Sequence, residues 1–349
     1  MIIYWIAFAL PSLASIFEKS SDFSRYLARR TLPVLAVFSV ILIGTRYDVG
    51  ADWDQYQNLF DRSLNVGFSD ALNISDPGYM LTNWLSSKMG FGISGANTIC
   101  ALIFCTGLTL FCLERKRPLL AFAVAVPYLL IVVAMGYTRQ SAAIGLVMIA
   151  IVNVERDKII RYFIYILAAA AFHKTAIIVA PLGVIATSKN RALTIAASIA
   201  ILPIAYVAFL ADFVQRLNWL YFERGFSSSG AVIRLALSAV AAISYFVYTN
   251  KSDLSQTAYN FWRATAICSI LLFLSLPISP SSTAIDRLGL YLIPIQLVAF
   301  SSLPDAFRAN TRAFVTLLVL SVYFAVLFVW LNFGIHSVSW YPYQTYLTL

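Results

Sequence analysis

The sequence predicts an all-α, polytopic integral membrane protein with about twelve transmembrane helices. Three observations predict it. Of 349 residues, 60% are hydrophobic and only 12% are charged, against about a quarter in a typical soluble domain. Apolar runs of roughly 15 to 20 residues recur from end to end, near the ~20 that cross a hydrocarbon core as a helix. Basic residues gather between alternate runs, as they do on one side of a membrane. The weak alternation of a membrane barrel, in ~10-residue segments, is absent. No soluble domain interrupts the pattern, so residues 1–349 read as a single membrane domain.

The elements follow in order. The opening run, MIIYWIAFALPSLASIF, has no basic residue before it and lacks the positive start of a cleavable signal peptide. It reads as a retained first helix, 1–17. Further segments are expected at 32–45, 94–113, 119–134, 139–154, 159–172, 174–187, 192–210, 231–249, 258–278, 287–303 and 313–333. Three of the four cysteines, Cys100, Cys105 and Cys112, fall in one helix at spacings of 5 and 7, which do not suit a disulfide. They read as small apolar fillers. No Cys/His pattern suggests a metal site.

Alternation from an outside N-terminus makes 18–31, 114–118, 155–161, 188–191, 250–257 and 304–312 the inner loops. They hold 4, 3, 3, 2, 1 and 2 Lys and Arg residues, 15 of the 25 in the chain. The outer loops are longer overall and poorer in both, and both termini then face outward. The net charge of +9 is therefore explained by orientation, and no basic face remains for nucleic acid.

Two outer features stand out. Residues 46–93 form an outer, periplasmic loop region, with a short interfacial helix expected after Pro77 because Tyr79, Trp84 and Leu85 mix apolar and polar faces. GFGISG, at 90–95, matches a dinucleotide-binding pattern literally, but no βαβ unit surrounds it. The second feature is FHKTA. Tyr162 to Phe172 spans about 17 Å of helix, short of the ~30 Å apolar slab, and both flanking loops are basic. The chain must climb and return, placing His173 and Lys174 at an apex below the outer surface and lining a recess.

Ionisable residues in or beside membrane helices are costly and often functional. Here they converge on the outer side: Arg46, Asp48, Asp52 and Asp54 after the second segment, Arg139 opening the fifth, His173 and Lys174 at the apex, Asp286 and Arg287 opening the eleventh. Each has a plainer reading. Arg139 and Arg287 suit interface anchors, His173 a satisfied core histidine, and Asp286–Arg287 a local ion pair. Arg234 and Arg263 suit snorkelling or structural pairs. Asp61, Asp70 and Asp76 suit solvated loop or capping positions. Convergence favours a functional reading over these.

Arginine's planar fork fits diphosphate oxygens. A carboxylate or neutral imidazole can accept a proton from a sugar hydroxyl, and aromatic faces suit sugar rings. The set fits glycosyl transfer from a lipid diphosphate to a hydroxyl, with arginines meeting the charge on the leaving group. Arg139 and Arg287 are the first candidates to hold the diphosphate, with Arg46 beside them. A divalent ion held by the aspartates would be the oxygen-ligand alternative; the arginines already supply positive charge, so no metal or other cofactor is expected.

RYDVGADWDQY, residues 46–56, resembles the R-x-x-V-G-x-D-x-x-x-Y block of the EpsG family, which belongs with the Wzy-type O-antigen and exopolysaccharide polymerases. TRQSAA resembles its R-Q-x-x-A helix start, and FHKTA its F-H-x-[ST]-A block. DRLGLY, ending at Tyr291, and WYPY, ending at Tyr343, also resemble family features. Unlike Wzy proteins with two large outer loops, this chain has only a small one at 211–230. The resemblance implies a GT-C-like glycosyltransferase of the bacterial inner membrane, active at the periplasmic face. Its substrate would be an undecaprenyl-diphosphate-linked oligosaccharide, and its partners membrane lipid and the chain-length regulator and flippase of the same pathway. It marks Asp52, which the chemistry above makes the first candidate for the base, with His173 second. Arg46, Asp48, Asp54, Tyr56, Lys174, Asp286, Tyr291 and Tyr343 are then the substrate-binding candidates. A lipid-linked oligosaccharide flippase or other transporter, a membrane acyltransferase using His173, and an O-antigen ligase are the competing readings. A transporter would place its charges near the midplane, and an acyltransferase would favour an inward histidine.

Overall fold

The computed structural model describes residues 1–19, 21–64, 66–187, 230–249, 254–279 and 281–348. The expected segment 192–210, with parts of the loops 188–191, 211–230 and 250–257, lies outside the described residues. Among the described residues the fold is helical, with one isolated β-bridge between Arg46 and Thr345. The long helices are α1 (Ile2–Ile16), α2 (Asp22–Gly44), α6 (Gly92–Leu113), α7 (Pro118–Gly136), α8 (Thr138–Glu155), α9 (Ile159–Phe172), α10 (Lys174–Thr187), α11 (Ala231–Tyr248), α12 (Gln256–Ile278), the bent pair α13 (Ser282–Leu292) and α14 (Pro294–Ala306), and α15 (Arg312–Phe333). Each described segment expected from the sequence overlaps one of these, but α2 begins at Asp22, so most of the expected inner loop 18–31 is helical, and the expected segment 287–303 is divided between α13 and α14.

Six of the helices, α2, α6, α7, α11, α12 and α15, are long and apolar enough to cross a membrane. The α13–α14 pair, bent by 51°, is a seventh if taken as one span. The bend falls at Pro294, which removes a backbone donor and crowds the preceding turn. Helices α1, α9 and α10 are shorter. The protein is thus an all-α membrane protein.

Helix α7 is the axis of the bundle. It is apolar on every side, as a helix enclosed by others must be, and it is buried nearly all round. Residues Val126–Val133 widen into a π-helical stretch beginning beside Pro127, where a missing N–H loosens the ladder. Helices α6 and α8 cross in backbone contact. A Cβ on Gly107 would fall 2.0 Å from the Gly145 carbonyl oxygen, so glycine there is a packing requirement. The outer helices turn large apolar side chains outward, among them Val37, Leu167, Ile243, Leu271 and Phe314, as lipid-facing surfaces do.

Helices α9 and α10 make the expected hairpin. Tyr162 donates its hydroxyl to the Val179 carbonyl, and its ring lies against Gly183, so the chain climbs and returns beside itself. His173, extended at φ −155°, ψ 113°, is the apex.

The two ends of the bundle differ in chemistry. At one, Arg115 forks onto Glu155, Arg117 forks onto Asp305 at 2.8 and 3.1 Å, and Arg156 pairs with Glu114. These residues come from the expected inner loops. There Glu18 accepts the Leu119 and Leu120 N–H groups, both at 3.0 Å, capping α7, whose first N–H groups have no partner within the helix. The other end gathers residues 45–54, 76, 139, 173 and 286–287 with the two chain termini; the Tyr4 hydroxyl donates to the Trp340 carbonyl at 2.7 Å.

The 46–93 region is more structured than the short loop with one interfacial helix that the sequence suggests. It holds α3 (Trp53–Leu64), α4 (Phe68–Leu72) and α5 (Pro77–Lys88). Asp54 and Tyr56 are therefore helical. Tyr79, expected at the interface, is buried against Tyr56, with ring centroids 5.5 Å apart. Leu81, Leu85 and Met89 are exposed instead. The helices add a small second core from Trp53, Tyr56, Phe60, Tyr79, Met80 and Ile93.

Candidate functional site

The site begins with the turn that places Asp52. After α2 the chain reverses through Asp48, at φ 48°, and Gly50, at φ 115°. A Cβ on Gly50 would meet the Met135 carbonyl oxygen at 2.5 Å, so both conformation and space demand glycine. The C-terminal tail straps this turn from outside. Gly50 N–H donates to Ser339 O at 2.9 Å, Tyr47 N–H to Gln344 O at 2.9 Å, and Tyr346 N–H to Thr45 O at 2.8 Å. Trp340 anchors the strap, donating Nε1–H to the Ile131 carbonyl at 2.9 Å in the π-helical stretch.

Arg46 lies inside the turn and is buried. It donates to the carbonyls of Val49 (3.1 Å) and Ile43, and to Thr138 Oγ1 at 2.7 Å and Asn97 Oδ1 at 3.4 Å. Its fork is occupied by neutral acceptors that tie α2 to α6 and α8, which places it in the scaffold and not among surfaces open to a ligand.

Asp52 differs. It is half-buried, and its carboxylate makes no hydrogen bond or ion pair with a described residue. Burial raises its pKa above the usual carboxylate value, and the charges of Arg287, Arg139 and His336 pull it partly back. Arg287, also half-buried, lies with its guanidinium 5.7 Å from the Tyr137 ring centroid, and its side chain has no hydrogen bond or ion pair among the described residues. Its backbone carbonyl accepts Gln140 Nε2–H at 3.0 Å, fixing α13 against the start of α8.

Arg139 is already paired. Nη1 donates to Asp76 Oδ2 and to Ser75 Oγ, both at 2.9 Å. Its guanidinium lies 5.8 Å from the Tyr56 ring centroid, while Nε has no partner. The same Asp76 oxygen lies 3.7 Å from His173 Nδ1, too far for a hydrogen bond. Both His173 ring nitrogens are buried without a hydrogen-bond partner. Gly78, early in α5, packs against the backbone of Ala171, which brings Asp76 to the hairpin apex.

Asp76 corrects the sequence reading. It precedes Pro77 and has the pattern of a helix cap or solvated loop residue, yet it is buried and makes no capping bond. It lies between Arg139 and His173. Nothing local signals this, because its partners come from α8 and the α9–α10 apex. Tyr137 and His336 are further neighbours that sequence reasoning did not pick out.

Asp286 pairs with Arg234, Nε–Oδ1 2.8 Å, and not with Arg287 as adjacency suggests. Neighbours along a helix point about 100° apart, so Asp286 turns towards α11. The Tyr291 hydroxyl meets Thr175 Oγ1 at 3.1 Å, linking α13 to the apex. Tyr343 donates to the Leu42 carbonyl at 3.0 Å and belongs to the strap. Lys174 is exposed at the apex. Asp48 and Asp54, both exposed, line a cavity of about 270 Å³ with Ser339 and Gln344 beside the strap. Among the described residues no three His, Cys, Asp or Glu side chains gather as a metal would require.

One end of the bundle therefore presents an unpaired carboxylate, an unpaired guanidinium, and a histidine–carboxylate–arginine group within electrostatic reach. A family model described as the EpsG family matches residues 29–345. No curated protein and no solved structure matches the chain.

Proposed function

The chain belongs to the EpsG family, a Wzy-type polymerase-like family, and from this premise we propose that it is a polysaccharide polymerase. It transfers a glycan from undecaprenyl diphosphate to a sugar hydroxyl of an incoming lipid-linked repeat unit. The observation that carries this is the placement of Asp52 and Arg287 at one end of the bundle, free of competing ion pairs among the described residues.

In this reading Asp52 accepts the proton of the acceptor hydroxyl as its oxygen bonds to the anomeric carbon of the donor. The bond from that carbon to the diphosphate breaks, and undecaprenyl diphosphate leaves with the electron pair. Arg287 meets the developing charge. Arg139 contributes less, since Asp76 already offsets it. A charge-assisted contact of this kind is worth about 1.5–3 kcal/mol, or roughly 10- to 150-fold in rate. Tyr56, buried in the second core, backs the Arg139 guanidinium, and half-buried Tyr137 offers a face to a sugar ring. The site end faces the periplasm of the inner membrane, because the opposite end carries the basic loops. A twelve-helix, GT-C-like arrangement and work beside a flippase and a chain-length regulator complete the proposal.

The test uses purified protein and a synthetic lipid-linked unit. Asp52→Asn should lose polymer formation while keeping expression and donor binding. A fully active variant would move the base to His173. Chelator should leave the wild type active; loss restored by a divalent ion would make the aspartates metal ligands.

A further inference from the structure

The opposite end of the bundle holds a cavity that polymerisation does not use. It has a volume of about 540 Å³ and lies where α2, α6, α8 and α9 meet, within the ~300–1,000 Å³ common for small-molecule sites. Arg29 from α2, Arg156 just after α8 and Arg161 from α9 reach it, with a single carboxylate, Glu114. Leu113 and Ile149 supply apolar wall.

Glu114 is committed to Arg156. Arg29 and Arg161 make no ion pair among the described residues. Three positive charges against one negative leave an excess of two on one cavity. Arginines that merely anchor helices at an interface would be spread around the bundle, whereas these come from three elements to one cavity. Ile164, which lines the cavity, is exposed, and Ile160 and Leu167, at i−4 and i+3 on the same face of α9, are exposed too, so this side of the cavity faces hydrocarbon. A ligand matching both features carries phosphate on an apolar chain: arginine forks suit phosphate oxygens, and basic pockets between helices at the cytoplasmic side suit anionic head groups.

We propose that this cavity is a binding site for lipid-borne phosphate, separate from the site around Asp52. The phosphate sits between Arg29 and Arg161, and its acyl or prenyl chain runs out along α9. Two lipids share this chemistry, an anionic glycerophospholipid and a polyprenyl phosphate.

The experiment measures thermal unfolding of the purified full chain in a neutral detergent. Phosphatidylglycerol, phosphatidylcholine, undecaprenyl phosphate and inorganic phosphate are titrated separately. Phosphatidylglycerol or undecaprenyl phosphate should raise the midpoint at concentrations at least about tenfold below phosphatidylcholine, and whichever acts identifies the source. Arg29→Gln with Arg161→Gln should remove that preference. Equal response to phosphatidylcholine, an equal response to inorganic phosphate alone, or an undiminished preference in the double variant would overturn the proposal. If the double variant does not fold, native mass spectrometry of the wild type decides. Retention of phosphatidylglycerol or undecaprenyl phosphate over phosphatidylcholine supports the site, and no preference refutes it.

Discussion

At the scale of single residues, ionisable groups in this chain divide by what they touch. Asp52 and Arg287 retain unspent charge. Arg46, Arg139, Asp286 and Asp76 have theirs met by neighbours. A base must be ionised to act, and burial lifts the Asp52 pKa while Arg287 counters that lift. Polymerisation should therefore fall as pH drops through a value above the ordinary carboxylate range. Arg287→Ala removes a charge favouring the ionised form, so the same limb should move to higher pH; a pH–rate profile of both proteins checks this, and an unmoved limb would separate Arg287 from Asp52. Asp76 offers a second test. Asp76→Asn leaves Arg139 without its counter-charge and should cost up to about 3 kcal/mol, since Arg139 keeps some solvent contact. Thermal unfolding reads it, and Asp76→Glu should restore most of the loss.

At the scale of elements, the fold rests on close backbone contact and on capped ends. Gly107 faces Gly145 where α6 crosses α8. Gly107→Leu must push the helices apart, and overpacking of this sort costs about 1–3 kcal/mol. Arg46 bonds Asn97 of α6 and Thr138 of α8, so activity should drop with stability. A variant with an unchanged melting temperature would refute the contact. Glu18 binds two otherwise unpartnered N–H groups at the start of α7. Glu18→Ala leaves both buried and unmet, at about 1–3 kcal/mol. Because that end lies far from Asp52, the catalytic rate of the folded fraction should stay unchanged.

At the scale of the whole molecule, the tail makes the site a closed arrangement. Residues 339–346 hold the turn carrying Asp52, and Trp340 fastens the tail to α7. Trp340→Ala should release the strap. A single cysteine at Ala51, with the native cysteines replaced, should then react faster with an impermeant thiol reagent, and polymerisation should fall while helix content persists. The same chemistry tests sidedness. Cysteine at position 52 should label in intact spheroplasts and cysteine at 116 should not; the reverse pattern would invert the orientation.

The sequence by itself determined the membrane class, most of the long helices among the described residues, and the His173 apex. These follow from local quantities: apolar run length, the charge of short loops, and a helix too short for the slab it must enter. The tertiary structure alone decided which charges are spent. Asp76 meets Arg139 and His173 across three elements, Arg234 turns Asp286 away from its neighbour Arg287, and Arg46 disappears into the scaffold. A buried charge must find compensation wherever packing brings it, and packing joins residues that no spacing in the chain relates. Helices α3 and α4 were hidden likewise, because short amphipathic helices owe their stability to the surface they cover.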